Sequence, residues 1–292
     1  MANKVLFYTL AFGREEYYRQ SQLLAVSLLH YRLPDSVLRI YTDRPDFFAP
    51  FREHLEIEPV SKESLLASIS EHKGYLYSSK LNLIQQVNAK AEFATTVFLD
   101  TDVIARQPLD GFIRLLEQDT FLMYRQEKAY ARESRKEYWQ ALNRIDLLGH
   151  RIDSQSSQWN SGVVGLSGDH RTRLLDAASI MDQLNEAGVK QHTLEQVALS
   201  VVFEHTGRLQ AATDWFVHYY ANKPAWKPIA DELETLKQQG KSLPALTAWF
   251  AAIPAFPSET PPQPDTFSRL VNKWKNSIIK RLPKRAPNRQ DV

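Results

Sequence analysis

The feature that most constrains the fold is a run of strand-forming residues that ends in two carboxylates, Val97-Phe98-Leu99-Asp100-Thr101-Asp102-Val103. Side chains alternate between the two faces of a strand, so Asp100 and Asp102 are expected to point to one site at the strand's end. In open α/β sheets, ligands bind at the carboxyl ends of the strands. Two carboxylates in one site disfavour each other's ionisation, and a divalent cation such as Mg²⁺ or Mn²⁺ removes that conflict. The alternative is a polar turn with both carboxylates in water.

The chain before this strand alternates between strand and helix patterns. Residues Val5–Leu10 and Val37–Tyr41 are apolar runs, and Ser21–Tyr31 between them carries apolar residues at helical spacing. This order predicts a βαβ unit with parallel strands. The Gly-x-Gly-x-x-Gly fingerprint is absent from the unit, which argues against a classical dinucleotide site.

The same alternation continues through the rest of the first 250 residues. Helices are predicted at residues 77–87, 110–118, 171–187 and 193–203, with Asp110 as an N-cap. Thr193 and Gln196 have the spacing of a capping box. Strands are predicted at residues 121–124 and 163–166, the latter directly after a polar turn. The expected fold is α/β, with a mostly parallel central sheet flanked by helices in a single domain over residues 1–250.

The composition changes near the C-terminal end. Residues 254–264 contain five Pro, so residues 251–266 are predicted to form an extended linker. Residues 267–292 then carry eight Lys or Arg and one Asp, whereas the other 266 residues carry 28 basic and 33 acidic side chains. A mildly acidic body argues against nucleic-acid binding, and the basic tail indicates an anionic partner for the tail alone.

Several other classes of protein are excluded by what the sequence lacks. The absence of Cys excludes disulfides, thiolate metal sites and a Cys nucleophile. The first apolar run is too short for a signal peptide, and no stretch reaches the ~18 apolar residues of a membrane span. We therefore expect a cytoplasmic protein, with the tail as a candidate contact to the inner face of the cytoplasmic membrane.

Three motifs, in order, resemble the retaining glycosyltransferases of the glycogenin and bacterial lipopolysaccharide-galactosyltransferase type, glycosyltransferase family 8. They are Phe98-Leu99-Asp100-Thr101-Asp102, Trp159-Asn160-Ser161-Gly162-Val163, and the stretch from His218 to Trp226. The resemblance covers residues 4–226 and implies the GT-A fold. The third motif departs from the family's His-Phe-x-Gly…Lys-Pro-Trp, because Tyr219 replaces Phe, Ala221 replaces Gly, and Ala225 separates Pro224 from Trp226.

The resemblance implies roles for particular residues. Asp100, Asp102 and His218 would bind Mn²⁺ or Mg²⁺, and Lys80 and Lys223 would contact the diphosphate of a donor, which is usually a UDP-sugar in this family. Other donor contacts would come from Thr9, Tyr17, Asp43, Thr101 and Asn160. In this set Tyr17 would stack on the base, Asp43 would lie near the base edge, and Asn160 would bind sugar hydroxyls. Whether Tyr17 or Tyr18 takes the stacking position is left open, and a solvated helix residue is the alternative for Lys80.

Glu195 and Gln196 match the acidic-Gln pair that lines the donor sugar in the family, with Glu in place of Asp. Neither is an obvious strong nucleophile, so the favoured mechanism is front-face retention with the leaving phosphate as base. The acceptor would be a glycan or a lipid-linked glycan, as in envelope polysaccharide or lipopolysaccharide synthesis.

Two other functions remain open at this stage. A phosphatase of the haloacid-dehalogenase type also places Asp-x-Asp after an apolar strand, but here the motif lies a third of the way along the chain and lacks a convincing downstream acidic pair. The second alternative is a non-catalytic, membrane-associated protein that binds nucleotide sugars.

The basic tail has an apolar stripe at helical spacing, formed by Phe267, Leu270, Val271, Trp274, Ile278 and Leu282. Basic residues lie on most of the remaining circumference, a pattern typical of helices that lie on anionic membranes. Packing of the stripe on the protein body is the alternative.

Removal of the tail is predicted to abolish membrane binding. Each Lys or Arg near an anionic leaflet contributes ~1 kcal/mol, and burial of the stripe adds to that. The full chain should therefore sediment with anionic vesicles at low salt, whereas a variant that ends at Thr266 should stay in the supernatant. Equal binding of the two proteins, or binding of neither, would contradict a membrane-docking tail.

Overall fold

The computed structural model describes residues 5–71, 75, 77–130, 140–153, 155–189 and 193–260. The first part follows the predicted alternation of strands and helices. Its elements are β1 (Val5–Ala11), α1 (Glu15–His30), β2 (Ser36–Thr42), β3 (Glu56–Pro59), α2 (Lys62–Glu71), α3 (Ser78–Ala89) and β4 (Thr95–Leu99). Strands β1 and β2 pair in parallel, with Val5 opposite Ser36 and Ala11 opposite Thr42, so the predicted βαβ unit is confirmed.

The second part of the chain contributes further strands and helices. Its elements are β5 (Val103–Ala105), α4 (Asp110–Glu117), β6 (Phe121–Ala129), β7 (Ser157–Ser167), α5 (Arg173–Glu186), α6 (Leu194–Glu204), β8 (Leu209–Ala211), β9 (Phe216–His218), α7 (Lys223–Gln238) and α8 (Leu243–Ala251). The helices α2, α7 and α8 and the short strands β5, β8 and β9 were not predicted from the sequence.

Seven strands form one mixed sheet in the order β3-β2-β1-β4-β7-β6-β8. The pairs β3·β2, β2·β1, β1·β4 and β6·β8 are parallel, whereas β7 is antiparallel to both β4 and β6. Strands β5 and β9 form a separate two-stranded antiparallel ribbon. The predicted α/β class, with a mostly parallel sheet and flanking helices, is confirmed.

Both faces of the central strands β1 and β4 are buried, which explains why these strands carry apolar runs rather than an alternating pattern. Successive residues of β1 contribute to different cores, since Val5 and Phe7 belong to one cluster and Leu6 and Tyr8 to the other. Helices α1, α4, α7 and α8 cover the first cluster, and α3, α5 and α6 cover the second.

Several sequence-based details were wrong. Helix α1 begins at Glu15, six residues before the predicted start, because its first turn is polar and carries no apolar pattern. The residues Trp159-Asn160-Ser161, predicted to form a turn, lie within β7. Asp110 is not the N-cap of α4, which is Leu109, and neither Leu109 nor Thr193 makes a side-chain capping hydrogen bond. The capping box of Thr193 and Gln196 is therefore not formed.

The beginning of the predicted linker contacts the body. The ring of Trp226 stacks between those of Tyr219 and Phe256, with centroids 4.5 and 5.6 Å away, and the Asn222 amide donates to the carbonyl of Ser258. The compact first unit extends to Glu259. The domain boundaries stay a prediction, because residues 261–292, including the whole basic tail, lie outside the described residues. In the part that is described, no helix is both long and apolar enough to cross a membrane.

Candidate functional site

Three parallel strands end at the same edge of the sheet, and polar residues follow each of them. Asp43 follows β2 and Asp100 follows β4, while the loop after β1 leads into α1. The backbone N–H of Asp100 donates to Gly162 on the neighbouring β7 at 2.8 Å. The chain then turns, closed by a hydrogen bond from Val103 N to Asp100 O, and enters β5. Asp100 and Asp102 therefore approach each other through a tight turn, and not through the alternation of a strand as predicted.

The β5–β9 ribbon brings the third residue of the predicted metal site to the first two. His218 pairs with Val103 in the ribbon, directly after the turn. Its Nε2 lies 3.0 Å from Asp102 Oδ1 and 3.8 Å from Asp100 Oδ2. One ligand atom from each of the three residues lies within 4.8 Å of the others, and no second such group of His, Asp or Glu occurs among the residues that the structure describes. The donor set suits a divalent cation that prefers oxygen and imidazole ligands.

The His218 ring is fixed from behind by β7. Its Nδ1 lies 2.9 Å from Asn160 Oδ1, which also accepts the backbone N–H of Gly162. An amide oxygen can only accept, so Nδ1 carries a proton and Nε2 faces the carboxylates. Metal-binding histidines are commonly oriented by such a hydrogen bond at their other nitrogen. The position of the ring requires glycine at residue 162, because a Cβ there would overlap His218 Nδ1 and Cε1.

Each carboxylate of the site also has a lysine partner. Lys223, the first residue of α7, lies 2.8 Å from Asp102 Oδ2, and Lys80 on α3 lies 2.8 Å from Asp100 Oδ1. Lys80 also donates to the carbonyl and hydroxyl of Ser161, so it is a buried member of the site and not a solvated helix residue.

The charges of neighbouring side chains determine the ionisation of Asp102 and Lys223. Burial alone would raise the pKa of the Asp102 carboxyl, but the charges and hydrogen bonds of His218 and Lys223 outweigh it and hold that pKa well below its ordinary value. Burial would likewise lower the pKa of Lys223, yet its pKa is raised because the Asp102 carboxylate favours the charged form. The geometry therefore keeps Asp102 an anion and Lys223 a cation.

Glu195 and Gln196 lie in the first turn of α6, beside these charged side chains. Glu195 is 3% exposed, and burial raises the pKa of its carboxyl, although the charge of Lys80 and a hydrogen bond from Tyr75 oppose that effect. Gln196 accepts the backbone N–H of Ser161 at 3.1 Å and donates to Glu127 at 3.2 Å. These hydrogen bonds replace the predicted capping box.

The predicted nucleoside contacts lie around the ends of β1 and β2. Tyr18 is buried and donates to Asp43 at 2.6 Å, whereas the half-buried ring of Tyr17 lies 5.7 Å from Lys223 Nζ. Of the two tyrosines, Tyr17 is thus the one beside the ionic cluster, which consists of Lys80, Asp100, Asp102, His218 and Lys223. Thr9 is fully buried, and its hydroxyl has no hydrogen-bond partner within the described part of the chain. The hydroxyl of Thr101 donates a hydrogen bond to the side-chain oxygen of Gln20 on α1, at 3.0 Å.

Sequence reasoning missed Glu127, an exposed residue of β6. Its two carboxylate oxygens accept hydrogen bonds from the side-chain amides of Asn160, at 3.1 Å, and Gln196, at 3.2 Å. Tyr220 lies 3.4 Å from the same carboxylate, and its ring is 4.7 Å from that of His218. No sequence signal identified Glu127, because its stretch of β6 is polar and resembles an ordinary solvated strand end.

No family model matches the sequence, and no curated protein matches it. Among solved structures, one match is the crystal structure of mouse xyloside xylosyltransferase 1 in its apo form. The match has 15% sequence identity and a TM-score of 0.47, and it covers 71% of this chain and 84% of that chain. At these values the likeness carries no inference about activity.

Replacement of Gly162 by Ala is predicted to dismantle the candidate metal site and leave the fold in place. The added Cβ must displace the His218 ring, which also loses its hydrogen bond to Asn160, so Mn²⁺ affinity in a calorimetric titration should fall roughly ten- to hundredfold. Gly111→Ala is the matched control, since a Cβ there meets its nearest atom at 3.4 Å, an ordinary contact. Unchanged Mn²⁺ affinity in Gly162→Ala would contradict the assignment of His218 as a ligand.

Proposed function

We propose that this chain is a metal-dependent retaining glycosyltransferase of the GT-A fold, similar to glycosyltransferase family 8, which transfers a sugar from a UDP-sugar. The observation that supports this most directly is the meeting of Asp100, Asp102 and His218 at the carboxyl edge of the sheet, with Lys223 in contact. Carboxylates with a divalent ion and a nearby cation suit a diphosphate leaving group.

Asp100, Asp102 and His218 would hold Mn²⁺ or Mg²⁺, since two carboxylates and an oriented imidazole fit such an ion. When bound, the ion would neutralise charge that develops on the diphosphate. Lys223 would share that task. Its half-buried ammonium pairs with Asp102, and it lies at the N-terminus of α7, where the helix dipole is positive and attracts an anion. Lys80 would hold Asp100 in place and supply a second cation.

Glu195 and Gln196 would form the wall against the donor sugar. Burial raises the pKa of Glu195, but the charge of Lys80 and the hydrogen bond from Tyr75 favour its carboxylate, which would place a negative charge beside a sugar that becomes positive in the transition state. The leaving phosphate would then act as base for the acceptor hydroxyl, in front-face retention without a covalent enzyme intermediate. Tyr17, at the edge of the site, would stack on the base, while Thr9, Asp43, Thr101 and Asn160 would complete the donor contacts.

The acceptor in this proposal is a glycan or lipid-linked glycan used in envelope polysaccharide or lipopolysaccharide synthesis. What supports it is the basic, amphipathic sequence of residues 267–292, which suits an anionic membrane surface. The protein would work in the cytoplasm and bind the inner face of the cytoplasmic membrane through this tail.

One assay separates the proposed function from its two alternatives. Purified protein with Mn²⁺ is incubated with a panel of nucleotide sugars, and the release of UDP, free sugar and inorganic phosphate is measured. A glycosyltransferase releases UDP and free sugar slowly by donor hydrolysis, and with an acceptor it releases UDP faster while the sugar is transferred to the acceptor. A nucleotide sugar has no terminal phosphate monoester, so a sugar monophosphate is included in the panel, and release of inorganic phosphate from it would favour a haloacid-dehalogenase-type phosphatase. Nucleotide binding without turnover would favour a non-catalytic sugar-nucleotide-binding protein.

Replacement of Asp102 by Asn is predicted to abolish Mn²⁺-dependent donor turnover. The change keeps the side-chain shape but removes a ligand charge, and leaves Lys223 and His218 without their anion. Asp214→Asn, at an exposed position outside the site, is the control and should match the wild type. Circular dichroism should show both variants folded, and normal turnover in Asp102→Asn would refute the metal-site assignment.

Replacement of Lys223 by Met is predicted to lower kcat by roughly 10²-fold or more, the scale seen when one preorganised charge stabiliser is removed. Met keeps most of the bulk and deletes the charge. Lys227→Met is the matched control, because Lys227 lies one turn further along α7, is 70% exposed and pairs with Asp231. The two constants are measured by steady-state donor hydrolysis. A change confined to KM would mean that Lys223 only binds the ground-state donor.

A further inference from the structure

The hydroxyl of Tyr75 makes three interactions at the beginning of α6. Its oxygen accepts the backbone N–H groups of Leu194, at 2.8 Å, and of Glu195, at 3.4 Å. Its proton is donated to Oε2 of the Glu195 side chain. A residue 120 positions away in sequence thus contacts both the backbone and the carboxylate of Glu195.

The first two of these hydrogen bonds cap a helix. The first N–H groups of an α-helix have no acceptor within the helix and normally bind a side-chain oxygen of the N-cap residue. The N-cap residue of α6 is Thr193, whose side chain makes no such bond. Leu194 and Glu195 are buried, at 1% and 3% exposure, so their N–H groups need a protein acceptor. The Tyr75 phenol provides it.

The third hydrogen bond fixes the carboxylate. Because two N–H groups point at the phenol oxygen, the phenol proton is directed to Glu195 Oε2. The other oxygen, Oε1, is left 3.5 Å from the Ser161 hydroxyl, on the side of the ionic cluster. Four charged or titratable side chains interact electrostatically with the Glu195 carboxyl. They are Lys80 on α3, Asp100 after β4, and Tyr75 and Tyr77, which precede α3.

We propose that Tyr75 is a positioning residue for Glu195, which it holds with Oε1 directed to the donor sugar while it caps the helix that carries it. The proposal rests on the proposed glycosyltransferase function for the role of Glu195. It assigns a task to a segment, between α2 and α3, that no sequence motif singled out. Its effect on the reaction is exerted through Glu195, and Tyr75 itself does not contact the reacting atoms.

The test begins with Tyr75→Phe, which deletes only the hydroxyl. In donor hydrolysis we expect kcat to fall about tenfold, the usual scale for loss of a hydrogen bond that orients a functional group, with the affinity for UDP and Mn²⁺ unchanged. Tyr31→Phe is the matched control, because it removes one phenol hydrogen bond, to the carbonyl of Arg106, at the far end of α1. Equal kcat in Tyr75→Phe and the wild type would overturn the proposal.

Two further measurements separate positioning from a general loss of structure. In a double-mutant cycle, Tyr75→Phe should cost almost nothing once Glu195 has been changed to Gln, because the two residues act as a unit. An equal loss in both backgrounds would contradict action through Glu195. The hydrogen bond favours the Glu195 carboxylate, so its loss should move the acid limb of the kcat–pH profile to higher pH, and an unmoved limb would count against the proposal.

A second variant covers the case in which Tyr75→Phe does not fold. Incorporation of 3-fluorotyrosine at position 75 keeps the shape and makes the hydroxyl a stronger donor, so the acid limb should move to lower pH instead. No shift would overturn the proposal. Failure of the proposed function is recognised separately, as absence of donor hydrolysis in the wild type. In that case amide exchange at Leu194, expected to be faster in Tyr75→Phe than in Tyr31→Phe, still decides whether the phenol caps α6.

Discussion

The site depends on one buried carboxylate, that of Asp102. A buried charge without partners is costly, so its two oxygens determine where hydrogen-bond and ion-pair partners must lie. One oxygen meets His218 and the other meets Lys223, while the backbone carbonyl of Asp102 accepts the N–H of Tyr219. The β5–β9 ribbon and the first residue of α7 are thus joined to the turn after β4, and residues more than 100 positions apart become one site.

A network of hydrogen bonds extends from the Asp102 carboxylate to the exposed side chain of Glu127. The Asn160 side chain accepts a hydrogen bond from His218 and donates one to Glu127. Glu127 also accepts a hydrogen bond from the Gln196 side chain, and the oxygen of that side chain accepts the backbone N–H of Ser161. Each member has a partner on a different strand or helix, so no side chain can move alone without leaving a polar group unpaired. Such mutual constraint preorganises a polar site before any ligand enters.

The sequence predicts those parts of the fold that local pattern determines. Residues 97–99 directly before Asp100 are all apolar, because both faces of the sheet are buried there, and the place of this strand in a parallel sheet follows from the βαβ pattern. The start of α1 at Glu15 was missed because its first turn is polar. In the site, Asp100, Asp102 and His218 lie close together, although a turn and not strand alternation joins the two carboxylates. Thr193 was wrongly predicted to cap α6, and Tyr75 and Glu127 were not predicted at all, since their roles depend on distances across the fold that no local pattern encodes.

The balance of charge at the site has a consequence for ligand binding under the proposed function. Asp100 and Asp102 are each paired with one lysine, so their two negative charges are already compensated before a divalent ion enters. An ion without a nucleotide would bring an excess of two positive charges next to Lys80 and Lys223. A diphosphate removes that excess and offers the ammonium groups new acceptors. The affinities of the ion and of the diphosphate are therefore linked, and by thermodynamic reciprocity each must strengthen the other by the same factor.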